Sequence, residues 1–188
     1  GTVIGGKVRV NAGTVTFGGG AFGVLGVGGT VKGTVGANQS LDMACDDASS
    51  GVYMPEGLVN NGTVRFVPPI SDDCSEIFTV PGGTTFTNNG TFVVGEPGTH
   101  TGIHFGSNFY NAGGDFVNSA TGTMVINDYF QDLQNTTTNN GTMVVTSGGF
   151  FDNNYRPFVN SGTFTNGGGC DVNRLTNTGT LDLWKSCN

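Results

Sequence analysis

The chain of 188 residues carries 14 acidic and seven basic residues, and its lysines and arginines are scattered. Nucleic-acid backbones and anionic membrane surfaces are therefore not expected partners, because both attract clustered basic residues. No apolar run approaches the roughly 20 residues that span a bilayer. The chain has 34 glycines and 14 phenylalanines, and only 11% of its residues are charged. This composition argues against disorder and indicates an all-β chain with many turns.

Residues 1–36 alternate short strand-like pieces with glycine, as in Gly13-Thr14-Val15 and Gly29-Thr30-Val31. We interpret these pieces as degenerate copies of the repeat that follows later in the chain. Gly19-Gly20 is not expected to bind phosphate, because no helix pattern follows it. The glycines are therefore predicted to lie at tight corners.

Two segments interrupt this rhythm, at 37–57 and at 68–83. Each contains acidic residues, proline and one cysteine. We interpret both as acidic loops that project from a regular body and offer a possible contact for a ligand. Their adjacent acidic pairs are Asp46-Asp47 and Asp72-Asp73.

From residue 58 onward one nine-residue phrase occurs six times, with spacings between 17 and 32 residues. It reads apolar-x-Asn-x-Gly-Thr-apolar-x-apolar, and one copy has two extra residues before the glycine. A constant phrase at variable spacing indicates constant strands and variable loops, which is typical of the stacked coils of a solenoid. The asparagines of the six copies are Asn60, Asn88, Asn118, Asn139, Asn160 and Asn177.

Strand alternation predicts which side chains of the phrase point inward. If Leu58, Val64 and Phe66 face the core, Asn60 does so as well. Coils stacked about 4.8 Å apart would bring the six asparagines into register, where each amide can bond the one above and the one below. The following glycine, as at Gly62, is predicted to need positive φ or a close approach of backbones.

A hairpin-built β-sandwich is the alternative fold. Asn61-Gly62, Asn89-Gly90 and Asn140-Gly141 match type I′ hairpin turns. Against this alternative, the other copies lack Asn directly before glycine. All six copies carry the earlier Asn, which a hairpin does not require.

Outward positions of the phrase predict two surface columns, one of threonine and one that is mixed. We expect an exposed stripe of valines here to be a contact surface, whereas a covered stripe would be a second packing layer. Val117 and Val159 are expected to belong to the same stripe. The candidate binding residues are Thr63, Thr91, Thr123, Thr142, Thr163, Val93, Val125 and Val144.

The four cysteines allow three disulfide connectivities. None forms a Cys-x-x-Cys pair, and the even count in a chain of this composition predicts disulfides and an oxidising compartment. We favour Cys45–Cys74 and Cys170–Cys187, because each pair is close in sequence. Four free buried thiols are the alternative.

The Asn-Asn-Gly-Thr-apolar phrases at 60–64, 88–92 and 139–143 resemble the right-handed parallel β-helices of secreted cell-surface adhesins, both the filamentous-haemagglutinin and autotransporter-passenger type and the fungal cell-wall type. The resemblance covers 58–183 well and 1–57 loosely. It implies a secreted or wall-attached domain that binds a glycan or protein on a host or neighbouring cell. Self-association is a further expected type of contact.

Two other functions are considered. A polysaccharide lyase or hydrolase of the pectin-lyase-like type would need carboxylates held together on one face, whereas the adjacent acids lie in the interrupting loops. His100 and His104 lack a nearby third metal ligand in sequence. An ice-binding solenoid would need a second threonine column, and Arg65 and Asp182 stand in that position.

The sequence therefore predicts one all-β domain over 1–188, a right-handed parallel β-helix. It has degenerate coils and an acidic loop over 1–57 and regular repeats over 58–183. The expected function is non-enzymatic adhesion or binding in a secreted or cell-wall protein. No catalytic residue, metal site or cofactor is predicted.

Overall fold

The computed structural model describes residues 7–9, 13–17, 22–25, 29–44, 51–66, 76–78, 80–96, 113–132 and 135–188. These residues form strands, turns and bends, with no helix among them, and hence none that could cross a membrane. In chain order the strands are β1 (Lys7–Arg9), β2 (Gly13–Phe17), β3 (Phe22–Leu25), β4 (Gly29–Val35), β5 (Ser40–Ala44), β6 (Gly51–Pro55), β7 (Val59–Asn60), β8 (Thr63–Phe66), β9 (Glu76–Phe78), β10 (Thr85–Asn88), β11 (Thr91–Val94), β12 (Asp115–Asn118), β13 (Thr123–Ile126), β14 (Tyr129–Gln131), β15 (Thr136–Asn139), β16 (Thr142–Val145), β17 (Phe150–Asp152), β18 (Phe158–Asn160), β19 (Thr163–Asn166), β20 (Gly169–Asp171), β21 (Leu175–Asn177) and β22 (Thr180–Leu183).

The strands form three sheets in which every described pairing is parallel. The first sheet has nine strands in the order β1-β3-β5-β8-β11-β13-β16-β19-β22. The second has ten, in the order β21-β18-β15-β12-β10-β7-β4-β6-β9 with β2 against β4, and the third is β14-β17-β20. The predicted parallel β-solenoid is confirmed. The sandwich alternative is wrong, because hairpins would make neighbouring strands antiparallel.

The core follows the predicted alternation of buried and outward side chains along each strand. Its centre is a group of phenylalanine rings contributed by successive coils. Phe86 lies 5.4 Å from Phe92 and 5.1 Å from Phe116 between ring centroids, in tilted arrangements. Edge-to-face and tilted contacts of this kind suit the charge distribution of aromatic rings.

The asparagine ladder is confirmed. The Nδ2 atom of each ladder residue donates to the Oδ1 atom of the next, from Asn60 through to Asn177, at distances of 2.7 or 2.8 Å. The Nδ2 atoms of the first five asparagines each donate as well to the backbone carbonyl of a threonine in the next coil, at 2.9 to 3.1 Å. The buried amides are thereby satisfied; an unsatisfied one would cost about 1–3 kcal/mol.

The glycines of the phrase are required by close packing of coils. A Cβ atom on Gly141 would overlap the backbone carbonyl oxygens of Ser119 and Gly122 in the preceding coil, and one on Gly90 would overlap that of Gly62. The described glycines with positive φ are Gly33, Gly57, Gly83 and Gly95, and none of them belongs to the phrase. Of the two predicted reasons, close approach is therefore the operative one.

The third sheet ends in a disulfide. Phe130, Phe151 and Cys170 occupy one inward column, and Cys187 continues it through a parallel bridge to Cys170. The predicted Cys170–Cys187 disulfide is confirmed, with a Cα–Cα distance of 4.7 Å, which is within the usual range. The other predicted pair, Cys45 and Cys74, lies outside the described residues.

The two segments predicted as loops contain strands, which corrects that prediction. Residues 37–57 include β5 and β6, and 68–83 includes β9. In β5, Leu41 and Met43 are fully buried, while Asp42 faces outward. Because its acidic residues suggested a loop, the alternation of buried and outward side chains in this segment was overlooked. Asp46, Asp47, Asp72 and Asp73 lie outside the described residues.

Candidate binding face

The predicted threonine column lies on the outer side of the first sheet, in register from coil to coil. Parallel pairing places its members directly above one another, at the roughly 4.8 Å spacing of neighbouring strands. Ser40 pairs with Thr63 and extends the column by one hydroxyl that the sequence reading missed. Among the described residues the column holds Ser40, Thr63, Thr91, Thr123, Thr142, Thr163 and Thr180.

The second column runs beside the first, two residues further along each strand. Its three central members are valines, each half-buried. Both ends are charged, as the sequence predicted. In order it holds Asp42, Arg65, Val93, Val125, Val144, Thr165 and Asp182. We call the two columns together the outer face.

The charges at one end of the outer face neutralise each other. The Nε and Nη2 atoms of Arg65 donate to the two carboxylate oxygens of Asp42, both at 2.7 Å. This hydrogen bonding raises the pKa of the Arg65 guanidinium, partial burial opposes the rise, and the negative charges of Asp42 and Glu96 add to it. The stretch of the outer face between Arg65 and Asp182 therefore carries only hydroxyl and methyl groups.

The ladder holds the threonine column in place. The first five ladder asparagines each donate a second hydrogen bond to the carbonyl group of a threonine in this column. These threonines are Thr91, Thr123, Thr142, Thr163 and Thr180. A buried network thus fixes the backbone from which the outward hydroxyls project. Rigid elements supported in this way position a binding surface more accurately than loops do.

A polar turn borders the threonine column, and sequence reasoning missed it as part of the site. The Nδ2 atom of Asn89 donates to Oδ1 of Asn61 at 2.9 Å, and Thr121 Oγ1 donates to the Asn89 carbonyl at 3.0 Å. The sequence signal for this turn was the second asparagine of the Asn-Asn-Gly phrase, because strand alternation places its side chain on the outer surface. This border adds amide and hydroxyl groups beside the outer face.

Val117 and Val159 do not belong to the outer face, which corrects their grouping with the other valines. Both lie in the second sheet, where their column holds Val59, Thr87, Val117, Thr138, Val159 and Thr176. The turn at the glycine separates the strand before it from the strand after it. Residues on the two sides of the phrase therefore reach different sheets.

A second polar cluster lies on the third sheet. Tyr129 Oη and Gln131 Nε2 donate to Oδ2 of Asp152 at 3.1 and 3.0 Å, and the backbone N–H of Asn154 donates to Oδ1 at 2.7 Å. Burial, followed by the charge and hydrogen bond of Asp152, raises the pKa of Tyr129 to about 12. The groups of this cluster bond to one another, as expected of a structural network.

The two histidines considered as metal ligands, His100 and His104, lie outside the described residues. Within the described ranges, no three His, Cys, Asp or Glu side chains lie close enough together to hold a metal ion.

Comparison with known proteins identifies no relative, so the chain is classified by its fold. No protein-family model matches the chain, and no curated protein or solved structure matches it significantly. The structure itself defines the class: a disulfide-bearing parallel β-solenoid with an internal asparagine ladder.

Proposed function

We propose that the chain is a non-enzymatic binding domain that recognises a glycan or protein surface through the outer face. The observation that carries this proposal is the uncharged, in-register array of threonine and valine between Arg65 and Asp182. In a chain with a net charge of −7, a face of this kind is suited to contact rather than to solvation alone.

The chemistry of the outer face fits a hydroxyl-rich, uncharged ligand. Each threonine hydroxyl can both donate and accept a hydrogen bond, as sugar hydroxyls do. The neighbouring valine methyl groups can pack against the C–H groups of a sugar ring or an apolar side chain. Because the ladder already orders the backbone, binding loses little conformational entropy.

The proposed location is the cell surface or the secreted fraction. The Cys170–Cys187 disulfide supports it, because disulfides persist in oxidising compartments. Binding at a cell surface is also the role that the adhesin resemblance implies.

A glycan-array and cell-binding screen, followed by two matched pairs of variants, tests the proposal. Val125→Lys and Val125→Glu place either charge at the centre of the outer face. Val117→Lys and Val117→Glu do so in the second sheet of the same coil. We expect both changes at Val125 to weaken binding of the best-bound ligand by at least about tenfold, with little change at Val117. Equal effects at the two positions, or no ligand in either screen, would contradict the proposal.

Ice binding is a second candidate, favoured by the continuous hydroxyl column from Ser40 to Thr180. Valine and charged residues in the second column make it the weaker candidate. Ice crystals grown with the purified protein would become faceted if it were correct. Round, unshaped crystals would eliminate it.

A further inference from the structure

The turn between β17 and β18 has a backbone conformation that its sequence does not favour. The backbone N–H of Arg156 donates to the carbonyl of Asn153 at 2.7 Å. The two residues between them, Asn154 and Tyr155, have φ values of 43° and 61°. Positive φ at both central positions is the pattern of a type I′ turn, which favours glycine at the second of them. A tyrosine stands there, and a bulky residue with positive φ is strained.

Neighbouring side chains hold this turn in its strained conformation. Oδ1 of Asp152 accepts the backbone N–H of Asn154 at 2.7 Å, while its Oδ2 is bound within the polar cluster of the third sheet. Nδ2 of the buried Asn153 donates to the carbonyl of Arg156 at 2.7 Å, and its Oδ1 accepts the backbone N–H of Asn173 at 3.0 Å. A strained conformation persists only where its surroundings fix it in this way. The polar cluster therefore helps to fix the turn.

The strained turn presents the ring of Tyr155 to solvent. The residue is 70% exposed, and it forms no hydrogen bond or ring contact with any residue that the structure describes. Because β17 pairs with β14 on one side and β20 on the other, the turn belongs to an inner coil. A glycine would relieve the strain without loss of such a contact. A side chain that lowers the stability of the free protein in this way is typical of a binding residue.

Positively charged groups lie at the same corner of the solenoid. Arg156 follows Tyr155 directly and is half-buried. Arg174 of the next coil lies nearby, since its carbonyl accepts the backbone N–H of Phe158 at 2.9 Å. Neither guanidinium forms a hydrogen bond or ion pair with a residue that the structure describes. The neighbouring carboxylate of Asp152 already accepts three hydrogen bonds, so the two cations remain available to a ligand.

We propose that Tyr155 and Arg156 form a binding site for an acidic sugar, a pyranose that carries a carboxylate group. The C–H face of the sugar ring stacks on the exposed tyrosine, and the guanidinium binds the carboxylate through two parallel hydrogen bonds. Salt screens charges beyond about 8 Å at physiological ionic strength, so the adjacent guanidinium outweighs the net charge of −7. The site is separate from the outer face, and the inference does not depend on the proposed function.

Calorimetric titration with defined polymers tests the chemistry of the ligand. Hyaluronate and alginate supply carboxylated pyranose rings, dextran supplies uncharged rings, and polyglutamate supplies carboxylates without sugar rings. We expect at least one of the two carboxylated polysaccharides to bind, and to bind at least about tenfold more tightly than dextran and polyglutamate. Binding of neither, or equally tight binding of dextran or polyglutamate, would overturn the inference.

Two substitutions in the turn separate binding from stability. Tyr155→Gly removes the ring and relieves the strain, so it should weaken binding by at least about tenfold while the melting temperature stays the same or rises. Asn154→Gly changes the other residue with positive φ, keeps the ring and should leave the affinity within about twofold. A lower melting temperature for Tyr155→Gly would show that the ring stabilises the fold, and it would overturn the inference, as would unchanged affinity.

A matched pair of charge changes tests the guanidinium. Arg156→Gln should weaken binding by about tenfold or more, because it removes both hydrogen bonds to the carboxylate. Lys32→Gln makes the same charge change at an exposed position on β4 and should have little effect. Equal losses in the two variants would mean that only the overall charge matters, and they would contradict a site at the turn.

Discussion

The inner coils and the last coil carry the same sequence phrase but differ in the burial of equivalent residues. Phe164 is 1% exposed, whereas Leu181, the next residue in its column, is 36% exposed. Asn160 donates to the next coil, whereas Asn177 donates to the carbonyl of Gly179 in its own coil. The difference shows that the neighbouring coil, and not the phrase itself, supplies burial and amide bonding.

Truncation of equivalent side chains in an inner coil and in the last coil should give the largest difference in the free energy of unfolding. Phe164→Ala leaves a cavity between coils and should lower the free energy of unfolding by about 3–5 kcal/mol. Leu181→Ala removes a side chain that is already partly in water and should cost about 1 kcal/mol or less. Urea unfolding of the two variants measures both values. Equal losses would mean that the last coil is packed as tightly as the inner ones.

Loss of the disulfide should separate the last coil from the rest. The bridge closes a 17-residue separation, and its removal in Cys170→Ser/Cys187→Ser should cost about 3 kcal/mol. We expect residues 175–188 to become susceptible to proteolysis while the inner coils stay protected. Simultaneous cleavage throughout 135–188 would contradict this expectation.

Removal of a ladder asparagine should have a position-dependent effect. Asn139→Ala removes the partners of Asn118 Nδ2 and Asn160 Oδ1 and should cost about 2–3 kcal/mol. Asn177→Ala affects an exposed end of the ladder and should cost about 1 kcal/mol or less. Thermal unfolding of both variants provides the comparison. A cost at Asn177 equal to that at Asn139 would argue against a ladder that gains strength from burial.

Removal of a buried hydroxyl group from the core should have the smallest effect on the free energy of unfolding, and this change should stabilise the protein. Thr137 is 1% exposed between Phe116 and Phe158 in an inward column, and its Oγ1 atom has no hydrogen-bond partner among the residues that the structure describes. Thr137→Val keeps the shape and removes the desolvated hydroxyl, so it should stabilise the protein by about 1 kcal/mol. Thr138→Val, at the adjacent outward position, is the control and should change the melting temperature little.

The repeat made the regular coils predictable, because its phrase fixes a period of two and a common register. The ladder and the threonine column followed from that, whereas the Cys170–Cys187 pair was predicted from its closeness in sequence. Strand β5 was missed because Asp42 and Cys45 marked the segment as a loop, although Leu41 and Met43 alternate with polar residues. The third sheet was missed because strands such as Tyr129–Gln131 lie outside the phrase.

The position of the outer face was only partly predictable, for a geometric reason. Alternation shows which residues point outward, but it does not show where a coil turns. Val117 and Val125 both point outward, yet the turn near Gly122 places them in different sheets. The charge pair of Asp42 and Arg65 required the register between coils, which variable loop lengths conceal.

Native-state hydrogen exchange tests most directly whether each coil depends on its neighbour. We predict slow exchange of strand amides in 136–166, which lie between coils, and exchange of those in 175–183 that is faster by a factor of about 100 or more. Uniform protection of both segments would contradict a fold stabilised by stacking.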